Sequence, residues 1–296
     1  MFATQCIEEV KLILTRIQMM TFRDREVKFD NPKVMGILNV TPDSFSDGGQ
    51  FSTVDTAMRQ AESMVNAGAT FIDVGGESTR PGANVVSLQE ELDRVIPVIE
   101  SISNQLDVVV SVDTSKAQVM SQAAECGAGL INDVRALRSD GALNAAIHAA
   151  NNFNVSVCLM HMQGEPQNMQ HRPRYDGVVK EVTGFFEQRI KECTEAGLNY
   201  QRILIDPGFG FGKTLDHNYQ ILKYLHEFQQ FDAPILVGMS RKSMIGELLQ
   251  RDVNQRLAGN IATATIAALA GVAIIRVHDV NETMDAIKIV NKLQSI

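Results

Sequence analysis

Eight short apolar runs, rich in β-branched residues, recur along this chain at intervals long enough for one helix each. Most of them stop at a polar side chain. The runs are VMGIL before Asn39, TFIDV before Gly75, VVVSV before Asp113, GLI before Asn132, VSVCLM before His161, ILI before Asp206, PILVG before Met239 and AIIRV before His278. Amphipathic stretches of helical period separate them. This alternation predicts an α/β fold, a TIM (β/α)8 barrel of eight parallel strands, in which the C-terminal strand ends carry the chemistry.

The composition is that of one barrel domain without a nucleic-acid or membrane partner. Of the 296 residues, 45% are hydrophobic, and we assign residues 31–296 to the barrel and residues 1–30 to an N-terminal extension. A formal charge of -8 argues against nucleic acid or a membrane surface, since both require clustered Lys and Arg. The longest apolar run, residues 261–275, is too short to span a bilayer. Four cysteines without CxxC spacing predict reduced thiols in the cytoplasm.

The segment RVHDV predicts a phosphate site at the last strand. Arg276 and His278 are two residues apart on a strand, so their side chains leave the same face of the sheet. The last two strands of such barrels commonly bind phosphate, and the forked guanidinium of Arg suits phosphate oxygens. The alternative is a structural Arg–carboxylate pair beside a buried histidine.

Asn39 ends the first predicted strand and leads into the loop TPDSFSDGG. Its neutral amide oxygen is a hard ligand of the kind that Mg²⁺ prefers, and Mg²⁺ often combines one or two protein groups with substrate phosphates. Alone, Asn39 would be better explained as the cap of a turn. Beside a predicted phosphate site, we favour a magnesium ligand.

Three polar side chains, Asp113, Asn132 and Asp206, end the third, fourth and sixth predicted strands, so they converge on the barrel mouth. Leaving such groups buried and unpaired costs about 2–7 kcal/mol each, so we expect them to meet one another or a ligand. Carboxylates accept paired N–H groups, as on the guanidine-like edge of an aminopyrimidinone ring. The alternative is an internal polar network without a ligand.

The remaining segments at the barrel mouth predict a surface that packs against a flat ligand ring and a site that binds a carboxylate group. DPGFGFGK lacks the spacing of a P-loop or a dinucleotide fingerprint, and we expect Phe211 in it to approach a flat ring, a plain turn being the alternative. Lys242 and Ser243 begin a helix whose amides, together with Thr79 and Arg80 of GESTRPG, could hold a small carboxylate. Arg80 alone is equally well explained as a solvated residue. The histidines show no zinc spacing.

Taken together, these segments resemble a known family. GILNVTPDSFSDGG, DVGGESTRPGA, SVDTSK, INDV, LMHMQG, DPGFGFGK, VGMSRKSMIG and IIRVHDV look like the motifs of bacterial dihydropteroate synthase, in order, from about Lys33 to the C-terminus. The resemblance implies a TIM-barrel enzyme, usually a homodimer, that joins p-aminobenzoate to 6-hydroxymethyl-7,8-dihydropterin diphosphate. It releases diphosphate, uses Mg²⁺, belongs to folate biosynthesis, and is a sulfonamide target.

The resemblance also implies roles for individual residues. The catalytic groups would be Asp113, Lys242, Arg276 and His278, and Asn39 would contact the metal. Other substrate contacts would come from Thr79, Arg80, Pro81, Asn132, Met160, Asp206, Phe211 and Ser243. A mobile loop holding Asp43 and Phe45 would close over the aminobenzoate.

Two other functions are compatible with parts of the pattern. A non-catalytic pterin-binding barrel of a folate-dependent methyl-transfer system would explain Asp113, Asn132 and Asp206, but not TPDSF or GESTRPG. A different phosphate-handling barrel enzyme would explain only Arg276 and His278. A structural protein would leave a dozen polar residues at the mouth without a purpose.

Overall fold

The barrel strands lie where the apolar runs predict them. The computed structural model describes residues 19–41, 50–78, 86–164, 169 and 172–296. Within this part of the chain the strands are β1 Met19–Phe22, β2 Arg25–Lys28, β3 Lys33–Asn39, β4 Phe71–Gly75, β5 Val109–Asp113, β6 Leu130–Asp133, β7 Ser156–Met160, β8 Ile203–Asp206, β9 Leu236–Val237 and β10 Ile274–Val277.

Strands β3 to β10 form one parallel sheet that curves round on itself. The order of its strands is β8-β7-β6-β5-β4-β3-β10-β9. A parallel bridge between Ile205 of β8 and Ile235, just before β9, brings the two edges together. The result is a nearly closed eight-stranded barrel, which confirms the predicted TIM-barrel fold.

Helices surround this barrel on its outer side. They are α1 Gln50–Asn66, α2 Leu88–Gln105, α3 Ala117–Glu125, α4 Ala142–Phe153, α5 Val178–Glu195, α6 Leu215–Lys223, α7 Ser243–Leu249, α8 Leu257–Leu269 and α9 Val280–Gln294. Helix α2 illustrates how the sequence sets a boundary, because Ser87 and Glu90 form a reciprocal capping box at its start. Within the described residues, no helix combines the length and apolarity that crossing a bilayer requires.

Pleating of the strands divides their side chains into outward and inward sets. On β4, Ile72 and Val74 pack into the large core between sheet and helices, whereas Phe71 belongs to a separate cluster at the N-terminal end of the barrel. The next inward residue along β4 is Asp73, and on β10 Arg276 follows Ile274 in the same way. The barrel interior therefore changes from apolar to polar toward the C-terminal strand ends.

A hairpin of β1 and β2 packs against the N-terminal end of the barrel. These two strands pair antiparallel, and Phe22 at the end of β1 is fully buried, with its ring 4.9 Å from that of Phe71. The carbonyl oxygen of Thr21 accepts hydrogen bonds from Ser156 Oγ and Arg202 Nη1, both at 2.9 Å. The hairpin thus completes the apolar floor of the barrel, although its sequence lies before the repeating strand pattern.

Candidate active site

A charged network centred on Arg276 fills the polar layer of the barrel interior. Arg276 Nε donates to Asp73 Oδ2 at 2.5 Å, and Nη2 donates to Asp113 Oδ2 at 2.9 Å. Asp73 also accepts from Ser111 Oγ at 2.5 Å and from Asn132 Nδ2 at 3.2 Å. Five residues from β4, β5, β6 and β10 are thereby joined, including the predicted Asp113, Asn132 and Arg276.

Burial in this network changes the protonation of its members. Burial raises the pKa of Asp113 to about 7, with Arg276 opposing the rise and Asp73 adding to it. For Arg276, burial disfavours the charged form, but Asp73 and Asp113 outweigh it and raise the pKa of the guanidinium. Arg276 is therefore a permanent cation between two carboxylates, and it can exchange them for another anion.

The side chains of Asn39 and Asp113 both lie beside Gly75. A Cβ at position 75 would lie 3.8 Å from Asn39 Oδ1 and 3.6 Å from Asp113 Cβ. The half-buried amide of Asn39 and the carboxylate of Asp113 are therefore close together at the C-terminal ends of β3 and β5. The neutral amide oxygen of Asn39 is a hard donor of the kind that Mg²⁺ takes, so its chemistry fits the predicted metal ligand.

A second group lies at the ends of β8 and β9. Asp206 is buried, and its Oδ1 accepts from the Gly208 amide at 2.7 Å. Lys242 Nζ donates to the Phe209 carbonyl oxygen at 2.5 Å and lies 4.6 Å from the centroid of the Phe211 ring. Burial raises the pKa of Asp206, and it lowers the pKa of Lys242 to about 8 although Asp206 opposes that shift.

An apolar wall lies beside this pair. Met160 at the end of β7 and Phe211 in the loop after β8 are buried in one small cluster, whose other members are Val134, Met162 and Met169. Thioether and aromatic side chains are suited to packing on a flat ring. The cluster thus unites the predicted residues Met160 and Phe211 next to the polar pair.

The last predicted groups lie around the start of α7. His278 Nδ1 is 3.0 Å from Ser240 Oγ, which also accepts from the His278 amide at 3.2 Å. Arg241, with φ of 60°, donates from Nη2 to Asp279 Oδ1 at 2.5 Å, and its amide donates to Asn260 Oδ1 at 2.8 Å. These bonds hold the turn that carries Lys242 and the exposed Ser243 beside His278.

Five predicted site residues lie outside the described residues: Asp43, Phe45, Thr79, Arg80 and Pro81. The segment just before Thr79 is well anchored. Lys116 Nζ donates to Glu77 Oε2 at 2.6 Å and also pairs with the buried Glu91 of α2. Glu77 Oε1 accepts from the Val86 amide at 3.3 Å.

Sequence analysis missed the central carboxylate of the site. Asp73 is completely buried and binds Arg276, Ser111 and Asn132. Its place in the sequence indicates only that it lies near the mouth, and no role could be assigned to it from that. The available signal was a charged residue in the middle of the apolar run TFIDV. An acidic side chain at an inward strand position needs a cationic partner. The candidate was Arg276 on β10, which is separated from β4 in the sheet by β3 alone.

The chain is similar to known proteins along most of its length. Residues 35–278 match the model of the family described as pterin binding enzyme. The chain is 55% identical over 260 residues to dihydropteroate synthase of Escherichia coli strain K12, covering 88% of this chain and 91% of that one. It is 52% identical over 258 residues to the Haemophilus influenzae enzyme, covering 87% and 92%.

Solved structures give the same result. A crystal structure of Yersinia pestis dihydropteroate synthase in a sulfonamide drug complex is 54% identical, with a TM-score of 0.89 over 94% of this chain and all of that one. The Xanthomonas albilineans enzyme with 4-aminobenzoic acid is 46% identical, with a TM-score of 0.88 over 95% and 99%. The chain belongs to the dihydropteroate synthase family, the transferases of folate biosynthesis.

Proposed function

We propose that this chain condenses p-aminobenzoate with 6-hydroxymethyl-7,8-dihydropterin diphosphate through the residues of the barrel mouth. The products are 7,8-dihydropteroate and diphosphate. One observation carries the assignment of residues: Arg276 lies between Asp73 and Asp113 within electrostatic reach of Asp206 and Lys242. An anion site and a ring-recognition site are therefore adjacent, as a substrate with a diphosphate on a pterin requires.

The pterin ring binds between the apolar wall and the polar strand ends. Asp206 and Asn132 hydrogen-bond the edge of the aminopyrimidinone, while Met160 and Phe211 pack on its face. Lys242 reaches the ring from the start of α7. Because these groups are held by the barrel rather than by the ligand, the ring meets a preorganised surface.

Bond breaking is assisted by positive charge at the diphosphate. The C–O bond between the pterin methylene and the diphosphate breaks, and its electron pair leaves on the diphosphate oxygen, where Arg276 and His278 bind. The carboxylate of Asp113 stabilises the positive charge that spreads from the methylene into the ring. The aniline nitrogen then forms the new C–N bond, and its surplus proton passes to solvent or diphosphate.

Magnesium would be held by Asn39, at the C-terminal end of β3. When bound, the ion would neutralise charge on the diphosphate oxygens. On the aminobenzoate side we assign Thr79, Arg80, Pro81 and Ser243, together with the loop of Asp43 and Phe45. The Xanthomonas albilineans structure with 4-aminobenzoic acid supports this choice of second substrate.

Asp113 is expected to control an acid limb in the pH profile. Its pKa of about 7 means that the carboxylate becomes protonated, and loses its negative charge, as the pH falls through neutrality. We expect kcat/KM for the dihydropterin diphosphate to fall about tenfold per pH unit below this value, because kcat/KM reports groups of the free enzyme. The measurement is a profile from pH 5 to 9 for the wild type and Asp113→Asn.

The Asp113→Asn variant distinguishes ionisation of the enzyme from ionisation of the substrate. Ionisation of the diphosphate itself affects both proteins equally, so the limb that belongs to Asp113 is the one that disappears in Asp113→Asn. A limb that persists unchanged in the variant would contradict the assignment.

The activity is tested by magnesium-dependent diphosphate release, measured with and without p-aminobenzoate, alongside direct detection of dihydropteroate. Release that is coupled to product supports the synthase reaction. Protein that binds the pterin but forms neither product would instead be a pterin-binding module. A folded protein that does not bind the pterin would refute both functions.

We also infer a cytoplasmic homodimer. Large apolar side chains are exposed on the neighbouring elements that follow β9 and on α9, including Leu248, Leu249, Leu257, Ile266 and Ile289, the last with 70% exposure. Such a surface is typical of an interface between subunits. Sedimentation equilibrium is expected to give twice the chain mass of 32.6 kDa, and the mass of a single chain would contradict the dimer.

Within the described residues Cys126, Cys158 and Cys193 are free thiols, in keeping with a reducing compartment.

A further inference from the structure

Lys213, at the end of DPGFGFGK, is a buried cation that takes no part in the reaction as described. Its side chain is only 3% exposed. Lys213 Nζ lies 2.9 Å from His161 Nδ1, 2.8 Å from the Gly208 carbonyl oxygen and 3.1 Å from the Phe211 carbonyl oxygen. The carbonyl oxygen of His161 is more distant, at 3.4 Å. Three close acceptors match the three protons of an ammonium group.

These acceptors belong to two different segments of the barrel mouth. His161 follows β7 directly, whereas Gly208 and Phe211 lie in the loop after β8. The segments touch backbone to backbone: Gly208 has φ of 71°, and a Cβ there would overlap the carbonyl oxygen of His161. Lys213 therefore joins two chain segments at a point where no side chain fits between them.

The imidazole of His161 is fixed as an acceptor. Its ring centroid lies 4.9 Å from that of Phe185 on α5, in an edge contact, and 6.2 Å from that of Tyr175. Burial holds the pKa of His161 well below its usual range, and Lys213 and Arg138 act in the same direction. The ring is consequently neutral, and Nδ1 can accept the proton that Lys213 donates.

Stability alone is a poor explanation for this lysine. Burying an ammonium group costs several kcal/mol, and an apolar side chain of similar volume would often be as stable there. Burial lowers the pKa of Lys213 to about 7, although Asp206 opposes the shift. A buried cation that binds neutral acceptors on two segments is better explained by the geometry that it enforces.

Three ring-binding residues depend on this geometry. Met160 immediately precedes His161 in the chain. Asp206 accepts from the amide of Gly208, and Phe211 provides the apolar wall beneath Lys242. The carbonyl groups of both Gly208 and Phe211 are bound by Lys213, so loss of the ammonium would release the loop that carries them.

We propose that Lys213 and His161 form a positioning pair, which fixes the distance between the end of β7 and the loop after β8 and thereby sets the affinity for the pterin ring. The pair does not touch the substrate. This inference rests on the proposed function, because it concerns the same ring site. The diphosphate residues Arg276 and His278 lie on and just after β10, and they are held by other partners.

The test compares two replacements of His161 with one of Lys213. His161→Asn retains an acceptor near the position of Nδ1, His161→Leu removes it, and Lys213→Met removes the cation at similar volume. We expect His161→Leu and Lys213→Met to raise the KM for dihydropterin diphosphate and the Kd for 6-hydroxymethylpterin about 10- to 100-fold. A displacement of the ring-binding residues by about 1 Å has effects of this size. The kcat at saturation stays within about threefold of the wild type, and His161→Asn restores most of the affinity.

The outcomes separate the pair from simple packing and from the proposed function. His161→Leu with wild-type affinity, or His161→Asn as weak as His161→Leu, would overturn the positioning pair. So would an equal loss in kcat, since it would indicate a role in the chemical step. If Lys213→Met does not fold, the two His161 variants decide. A wild-type protein that forms no dihydropteroate and binds no pterin would refute the proposed function itself, and the pair with it.

Discussion

Replacement of Arg276 by methionine is expected to lower kcat/KM about 10²- to 10³-fold, the usual effect of removing one preorganised donor from a developing anion. The guanidinium already faces the barrel mouth from between two carboxylates, so it needs little rearrangement to bind diphosphate. Steady-state kinetics with the dihydropterin diphosphate measure the loss. An unchanged kcat/KM would contradict the assignment of Arg276 to the diphosphate.

The same substitution is also expected to lower the free energy of unfolding by about 3–5 kcal/mol, because it leaves Asp73 as a buried charge without its cationic partner. Urea denaturation measures this effect. The double variant Asp73→Asn with Arg276→Met removes both charges, and we expect it to regain most of the stability but none of the activity. A double variant as unstable as the single one would show that Asp73 is not the source of the loss.

Replacement of Asp206 by asparagine is expected to raise the KM for dihydropterin diphosphate about 10- to 100-fold. Hydrogen bonds to a charged group contribute about 1.5–3 kcal/mol, and each 1.4 kcal/mol is a factor of ten. The asparagine oxygen can still accept from the Gly208 amide, so the loop should stay in place while the charge is lost.

The matched control is Asp216→Asn, the same change at an exposed position ten residues further along the chain. It is expected to leave both KM values within about twofold, because substitutions at exposed positions rarely exceed 0.5 kcal/mol. The KM for p-aminobenzoate should change little in Asp206→Asn. If both substrates weakened equally, Asp206 would be supporting the whole mouth rather than the pterin ring.

The barrel could be predicted from sequence because its information is local and repeated. The barrel strands are apolar runs of two to seven residues, and glycines end four of the helices between them, at Gly68, Gly127, Gly197 and Gly271. Eight such strands in alternation with helices leave few other architectures. The hairpin of β1 and β2 was not predicted. Its two strands have only four residues each, and the barrel residues on which they pack lie in strands that are far away in sequence.

The site residues at the strand ends were predictable, but the residues that hold them in place were not. Asn39, Asp113, Asn132 and Asp206 stand out because each is a polar residue directly after an apolar run. Asp73 gains its meaning only from Arg276, which is 203 residues away. Lys213 looks like an ordinary polar residue after a glycine-rich turn, and only the fold brings it against His161.

Within the described residues, the floor made by the β1–β2 hairpin closes the N-terminal end of the barrel, which leaves the C-terminal mouth for the proposed substrates. Met20, Phe22 and Val27 fill the lower end of the barrel together with the first inward residues of the strands. Substrates and product would then use this mouth one after another. In the proposed reaction the pterin ring binds the buried strand-end residues, so we expect it to bind before p-aminobenzoate. We expect dihydropteroate to leave by the same route before the next pterin enters. An inhibitor bound on the aminobenzoate side would therefore prevent the bound pterin from leaving the site.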